Sequence, residues 1–136
     1  MEIDVFSANG EVSVTVIRPQ GELDASNYQD LIEEARVACN AGAADILLDL
    51  SGVSYMSSAG LVALQSISAL LRGDQAADPE WGWAAFRAVH SEVDRDQQVH
   101  LKLLSPQPRV ERILEVTGFS RYLEVFADME SAVQSY

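Results

Sequence analysis

The chain has 136 residues, 48% of them hydrophobic, and a formal net charge of −12. That length suits one domain with a buried core. The acidity argues against nucleic acid and anionic membrane as partners, since both attract basic surfaces, and leaves a basic protein partner open. No apolar run approaches the roughly 20 residues that span a bilayer. The acidic start "MEIDVFSANGEV" lacks a signal peptide's layout, and the single cysteine, Cys39, has no internal disulfide partner. A cytoplasmic protein is expected.

The first elements read as a hairpin. "EVSVTVIRP" (11–19) alternates, with Val12, Val14 and Val16 opposed to Ser13, Thr15 and Ile17. "IDVFSA" (3–8) is its partner strand across the turn signal Asn9-Gly10. "GELDASNYQDLIEEARVACNAG" (21–42) reads as a helix capped by Asp24 or Ser26 and stopped at Gly42. Its apolar face is Tyr28, Leu31, Ile32, Ala35 and Ala38/Cys39. The run Ile46-Leu47-Leu48 followed by Asp49-Leu50 suits a central strand covered on both faces. "GLVALQSISALLRG" (60–73) is a helix apolar over most of its circumference, which either packs deeply or keeps apolar surface for a partner.

Residues 73–98 break the rhythm with a loop and then an inserted helical segment that holds both tryptophans, Trp81 and Trp83. They read as packing aromatics or as an interface. "HLKLLSP" (100–106) is the next strand. A helix follows, with Ser105 as cap, Pro106 in the first turn, Val110, Ile113, Leu114 and Thr117 on the buried face and Gly118 as stop. "RYLEVFAD" (121–128) is a last short strand, and "DMESAVQSY" a terminal helix capped by Asp128. The fold class is α/β: a mixed, mostly parallel sheet of about five strands with four helices, in one domain over 1–136 with the insertion inside it.

Catalytic and cofactor motifs are missing from the sequence. There is no P-loop, no Gly-x-Gly-x-x-Gly after a strand, and "YMSSAG" is not the Gly-x-Ser-x-Gly elbow of esterases. His90 and His100 have no metal-ligand spacing with Cys39, and His90 with Asp94 reads as a solvated helix face. Asp49 near Ser51 and two later serines hints at acid–base work, but no histidine or lysine lies locally to activate a serine. The expectation is a non-catalytic protein without cofactor or metal.

"VSYMSSAGLVAL" (53–64) sets two adjacent serines between an apolar run and a helical one. A serine at a helix start can cap it, and a second can project from the turn. Ala59 and Gly60 read as room for another protein to approach the hydroxyl. The wider string "LLDLSGVSYMSSAGL" (47–61) resembles the signature of the STAS domain in the form found in bacterial anti-sigma factor antagonists. "GELDASNY" (21–28) and "SPQPRVERILEVTGFSRYLEVFADMESAV" resemble that family in order and spacing. The likeness covers nearly the whole chain outside 73–98.

The resemblance implies a phosphorylation switch. In the family a GHKL-type serine kinase, itself the anti-sigma factor, phosphorylates a serine at the start of the second helix. The unphosphorylated antagonist binds the kinase and frees the sigma factor, and a PP2C-type phosphatase resets the cycle. The matching position here is Ser58, with Ser57 second because many members carry an acidic residue at that place. The docking surface it implies is Met56, Ser57, Ser58 and Gly60 with an exposed side of the next helix at Leu61 and Val62, and a second contact at Asp24 beside Ser51. The insertion would extend that interface, make a homodimer or block the partner. The alternative is a constitutive scaffold, or a subunit of a signalling or transport complex, with no phosphate cycle.

Overall fold

The computed structural model describes residues 1–72 and 98–136. The insertion, with Trp81, Trp83, His90 and Asp94, lies outside the described residues. Among these, six strands form one sheet: β1 (Glu2–Asn9), β2 (Ser13–Leu23), β3 (Ile46–Asp49), β4 (Val53–Met56), β5 (Gln98–Leu104) and β6 (Leu123–Phe126). The helices are α1 (Tyr28–Asn40), α2 (Ser58–Leu71), α3 (Pro108–Val116), the short α4 (Phe119–Tyr122) and α5 (Met129–Gln134). The spatial order is β1-β2-β3-β5-β6, with β4 beside β2. Only the β1–β2 pair is antiparallel.

β3 is central, and all four of its residues are buried, as its unbroken apolar run requires. β2 serves two partners. Thr15–Ile17 pair with Ile46–Leu48 of β3, while Gly21–Leu23 pair with Val53–Met56 of β4. The change falls after Pro19, which has no N–H to give, and at Gly21, whose φ of +101° suits glycine. A register shift between Gly21 and Glu22 completes the hand-over.

Two apolar clusters hold the layers together. The larger lies between the sheet and the helices on one face, with Ile17, Leu31, Ile46, Leu48, Leu64, Ile67 and Phe119 among its buried side chains. The smaller, Val14, Val16, Leu47, Leu104, Ala132 and Val133, lies under α5 on the other face. There Lys102, only 3% exposed, keeps its charge satisfied. It donates to the Ser135 carbonyl (3.0 Å) and hydroxyl (2.9 Å), and stands 4.7 Å from the Tyr136 ring centre. Tyr136 donates its hydroxyl to the Ile46 carbonyl, so the chain end is tied to the central strand.

Several boundaries differ from the sequence reading. Val53–Met56 is a sixth strand, not merely a turn, because β2 runs past Pro19 and offers it a parallel neighbour. Phe119–Tyr122 adds a fifth helix among the described residues. α1 starts at Tyr28, since residues 24–27 form a turn closed by side chains and neither Asp24 nor Ser26 caps it. Val12 lies in the hairpin loop and is exposed. α3 starts two residues later than Ser105 and Pro106 suggest, with Gln107 in the cap position and Pro108 first. Ser105, at φ +50°, instead turns back to β6, its N–H on the Phe126 carbonyl (2.8 Å) and its hydroxyl on the Ala127 carbonyl (2.9 Å).

Candidate functional site

The two serines stand at the end of the sheet where the parallel strands finish. Ser57 has an extended backbone and is the N-cap of α2. Its hydroxyl oxygen accepts from the Ala59 N–H at 3.2 Å, and its own N–H donates to the Leu23 carbonyl at 2.9 Å. It is held from both sides and half-buried. Ser58 is the first residue of α2, is exposed, and its hydroxyl has no partner among the described residues. The local reason is simple. A helix start leaves amide donors without intrahelical acceptors, and one serine satisfies such a donor while its neighbour faces outward.

Apart from Ser54 and Tyr55, the rest of the motif is internal. Met56, Leu61 and Val62 are 1%, 3% and 0% exposed, so they cannot form the expected docking face. α2 is buried continuously from Ala59 to Ala69 because it packs on the sheet and beside α1. Gly60 is buried too, and a Cβ there would fall 2.4 Å from Met56 Cγ and 3.2 Å from Leu23 Cδ2. The small residues after the serines therefore let α2 sit close on β4 and β2, rather than leaving room for an approaching protein.

Asp24 and Ser51 lie at the same end. Leu23 joins Asp24 to Ser57, and the Gly21 N–H donates to the Gly52 carbonyl at 2.9 Å, one residue from Ser51. Asp24 accepts from the Ser26 hydroxyl (2.6 Å) and N–H (2.9 Å), and Asn27 ties the turn by donating to the Glu22 carbonyl (2.7 Å). The Ser26 hydroxyl, and then its N–H, hold the Asp24 carboxyl below its ordinary value, so this exposed turn stays charged. Ser51 takes a bond on its carbonyl from Gln107 at 2.8 Å, which links the turn to the start of α3.

Asp49 is 3% exposed and is spent on structure. It accepts from Arg18 Nε at 2.7 Å and from the Ser51 N–H at 3.0 Å. Burial pushes its carboxyl up, but the bonds from Ser51 and the Arg18 charge outweigh that and hold it below the usual value. His100 pairs with Asp45 at 2.7 Å, just before β3 begins and thus at the far end of the sheet from Ser58. No group of three or more His, Cys, Asp or Glu arranged to hold a metal ion occurs among the described residues. Tyr55, 43% exposed on β4 opposite Glu22, lies in the signature stretch but is not among the expected contact residues. Its signal was an aromatic inside a β-prone run.

The profile of the STAS domain family matches residues 6–76 and 80–132. The chain belongs to the STAS domain family. The anti-anti-sigma factor candidate Rv2638 of Mycobacterium tuberculosis is 25% identical over 132 residues, 93% of this chain and 72% of its own. An anti-sigma factor antagonist from Mycobacterium paratuberculosis shares the fold with a TM-score of 0.65 at 16% identity, covering 98% of this chain and 93% of that one. The Bacillus cell fate determinant SpoIIAA, solved in its phosphorylated form, superposes with a TM-score of 0.54 at 20% identity over 97% and 96% of the two chains. The α/β architecture is thus that of a STAS domain, and no helix among the described residues is long and apolar enough to cross a membrane.

Proposed function

We propose that this STAS domain is a non-catalytic anti-sigma factor antagonist, switched by phosphorylation of Ser58 and working in the cytoplasm. The observation that carries the reading is the division of labour at α2: Ser57 is used up as the cap, and Ser58 is exposed and unbonded one residue on. The names of the similar proteins support it, two being antagonists or their candidates and one a protein solved with its phosphate. The partners would be a GHKL-type serine kinase that is itself the anti-sigma factor, and a PP2C-type phosphatase.

The physics of the switch follows from the site. A phosphoryl group brings about −1.5 to −2 charges at neutral pH. At the start of α2 the helix dipole tolerates them, so the domain itself stays folded. In a protein contact that excludes water the same charge opposes binding, and each ~1.4 kcal/mol lost weakens affinity tenfold. Ser58, Asp24 and Ser51 are the residues offered to the partner; Met56, Gly60, Leu61 and Val62 shape the site from beneath.

The test is phosphosite mapping by mass spectrometry. Wild type, Ser57→Ala and Ser58→Ala are incubated with ATP and an extract of the source organism. Phosphate on Ser58, absent from Ser58→Ala and retained in Ser57→Ala, is the expected result. Phosphate on Ser57 alone would move the switch by one residue. No phosphate on either, with a control STAS substrate labelled in the same extract, would favour a constitutive scaffold.

A further inference from the structure

We infer that the Arg18–Asp49 ion pair is the positioning element of the serine site: it fixes the Ser51–Gly52 turn, and through that turn it sets where β4 delivers Ser57 and Ser58. The inference rests on Ser58 being the functional residue, but its geometry stands apart from any kinase. Asp49 is the one carboxylate in the buried class among the described residues. Its two oxygens are divided, Oδ2 taking Arg18 Nε at 2.7 Å and Oδ1 taking the Ser51 N–H at 3.0 Å. Arg18 is itself held, its guanidinium carbon 4.9 Å from the Phe6 ring centre on β1.

From Ser51 the path to the site is short. The Val53 N–H donates to the Leu50 carbonyl at 3.0 Å and closes the turn, and the Gly52 carbonyl accepts from the Gly21 N–H at 2.9 Å. β4 then runs beside Gly21–Leu23 and ends where the Ser57 N–H meets the Leu23 carbonyl. An ion pair with one buried partner, Asp49, and one partly exposed, Arg18, is a weak source of stability, because apolar residues of like volume often serve as well. What apolar residues cannot do is accept the Ser51 N–H. The pair's own contribution is therefore orientation of the turn, and Asp49 acts on the serines through Ser51 without touching them.

The experiment separates orientation from stability. The double variant Arg18→Met/Asp49→Leu removes the pair and leaves neither charge alone. Residue-resolved amide exchange by NMR is measured at Gly21, Val53 and Ser57, with Thr15 at the other end of β2 and Leu64 within α2 as references. Expected is exchange at the three site amides faster by about tenfold or more, with Thr15 and Leu64 within about twofold of wild type. Site amides that stay at the wild-type rate, or speed up only in step with the references, overturn the inference. If the double variant does not fold, Arg18→Gln and Arg18→Lys take its place: Gln must loosen the site and Lys must restore it, and equal behaviour of the two overturns the inference. Ser58 phosphorylation in the extract is then compared between wild type and variant, with a drop of about tenfold expected. A wild type that is never phosphorylated sinks the switch reading, while the exchange result still decides the positioning role.

Discussion

Two neighbouring serines at the start of α2 differ in everything but identity. Ser57 bonds to the Ala59 amide, and Ser58 bonds to nothing described. Ser57→Ala should therefore lower stability by about 1 kcal/mol, the usual worth of an N-cap. Ser58→Ala should stay within about 0.5 kcal/mol, as surface substitutions do. Urea denaturation of the two variants beside wild type checks both. Asp49 supplies a pH effect with a definite sign. Its folded carboxyl titrates below the ordinary 3.8, so its contribution is complete above that value and is lost as pH falls through the folded pKa. In Asp49→Asn the acid limb of the stability curve should be shallower; a limb as steep as wild type would show that other carboxylates drive it. At this scale the serine pair at the start of α2 was legible, because capping chemistry is local, while Asp24 closes a turn and does not cap α1 as the sequence suggests. The sequence reading missed the burial of Gly60, Leu61 and Val62, because burial depends on what folds over a helix from elsewhere in the chain.

The elements at the site work as a clamp: β4 enters, α2 leaves, and the far half of β2 lies beside both. The closeness depends on Gly60, where a Cβ would meet Met56 Cγ at 2.4 Å. Gly60→Ala should cost about 1–3 kcal/mol from overpacking, in spite of alanine's better helix propensity. A thermal melt gives the sign; a stabilised variant would mean that α2 can shift without loss. Most elements were legible because their apolar residues recur with a clean period, as in α1 and the unbroken run of β3. β4 was not. Its four residues, Val53 to Met56, show an outer pair between two buried ones, and only the extension of β2 past Pro19 makes them a strand. The start of α3 slipped for a similar reason. Ser105 and Pro108 are both plausible openings, and the turn of Ser105 back to β6 decides between them.

Across the whole molecule the net charge of −12 is spread over a small domain. Like charges repel in the compact state, and salt screens them over about 10 Å at 0.1 M. Raising sodium chloride from low to moderate concentration should therefore raise the melting temperature, as a series of calorimetric scans would record. A falling melting temperature would mean that specific pairs such as Arg18–Asp49 outweigh the general repulsion. The family was legible because one continuous stretch, residues 47–61, carries its signature. Coverage of β3 on both faces was legible too, in its unbroken apolar run. The anchoring of the chain end by Lys102 and Tyr136 on the second face was not, since those contacts join residues far apart in sequence.

The burial of α2 has a consequence for anyone who screens this protein genetically. The signature residues around Ser58 form a band in which Met56, Gly60, Leu61 and Val62 are internal. Substitutions there will lose the signal in a two-hybrid or reporter assay, and the hits will cluster persuasively around Ser58. Many will report lowered abundance, since a loss of only 1–2 kcal/mol already changes protein levels several-fold. A library normalised to the amount of protein in each cell would sort the hits into two groups. On the proposed reading Ser58, Asp24 and Ser51 would remain, and the apolar band would drop out as scaffold.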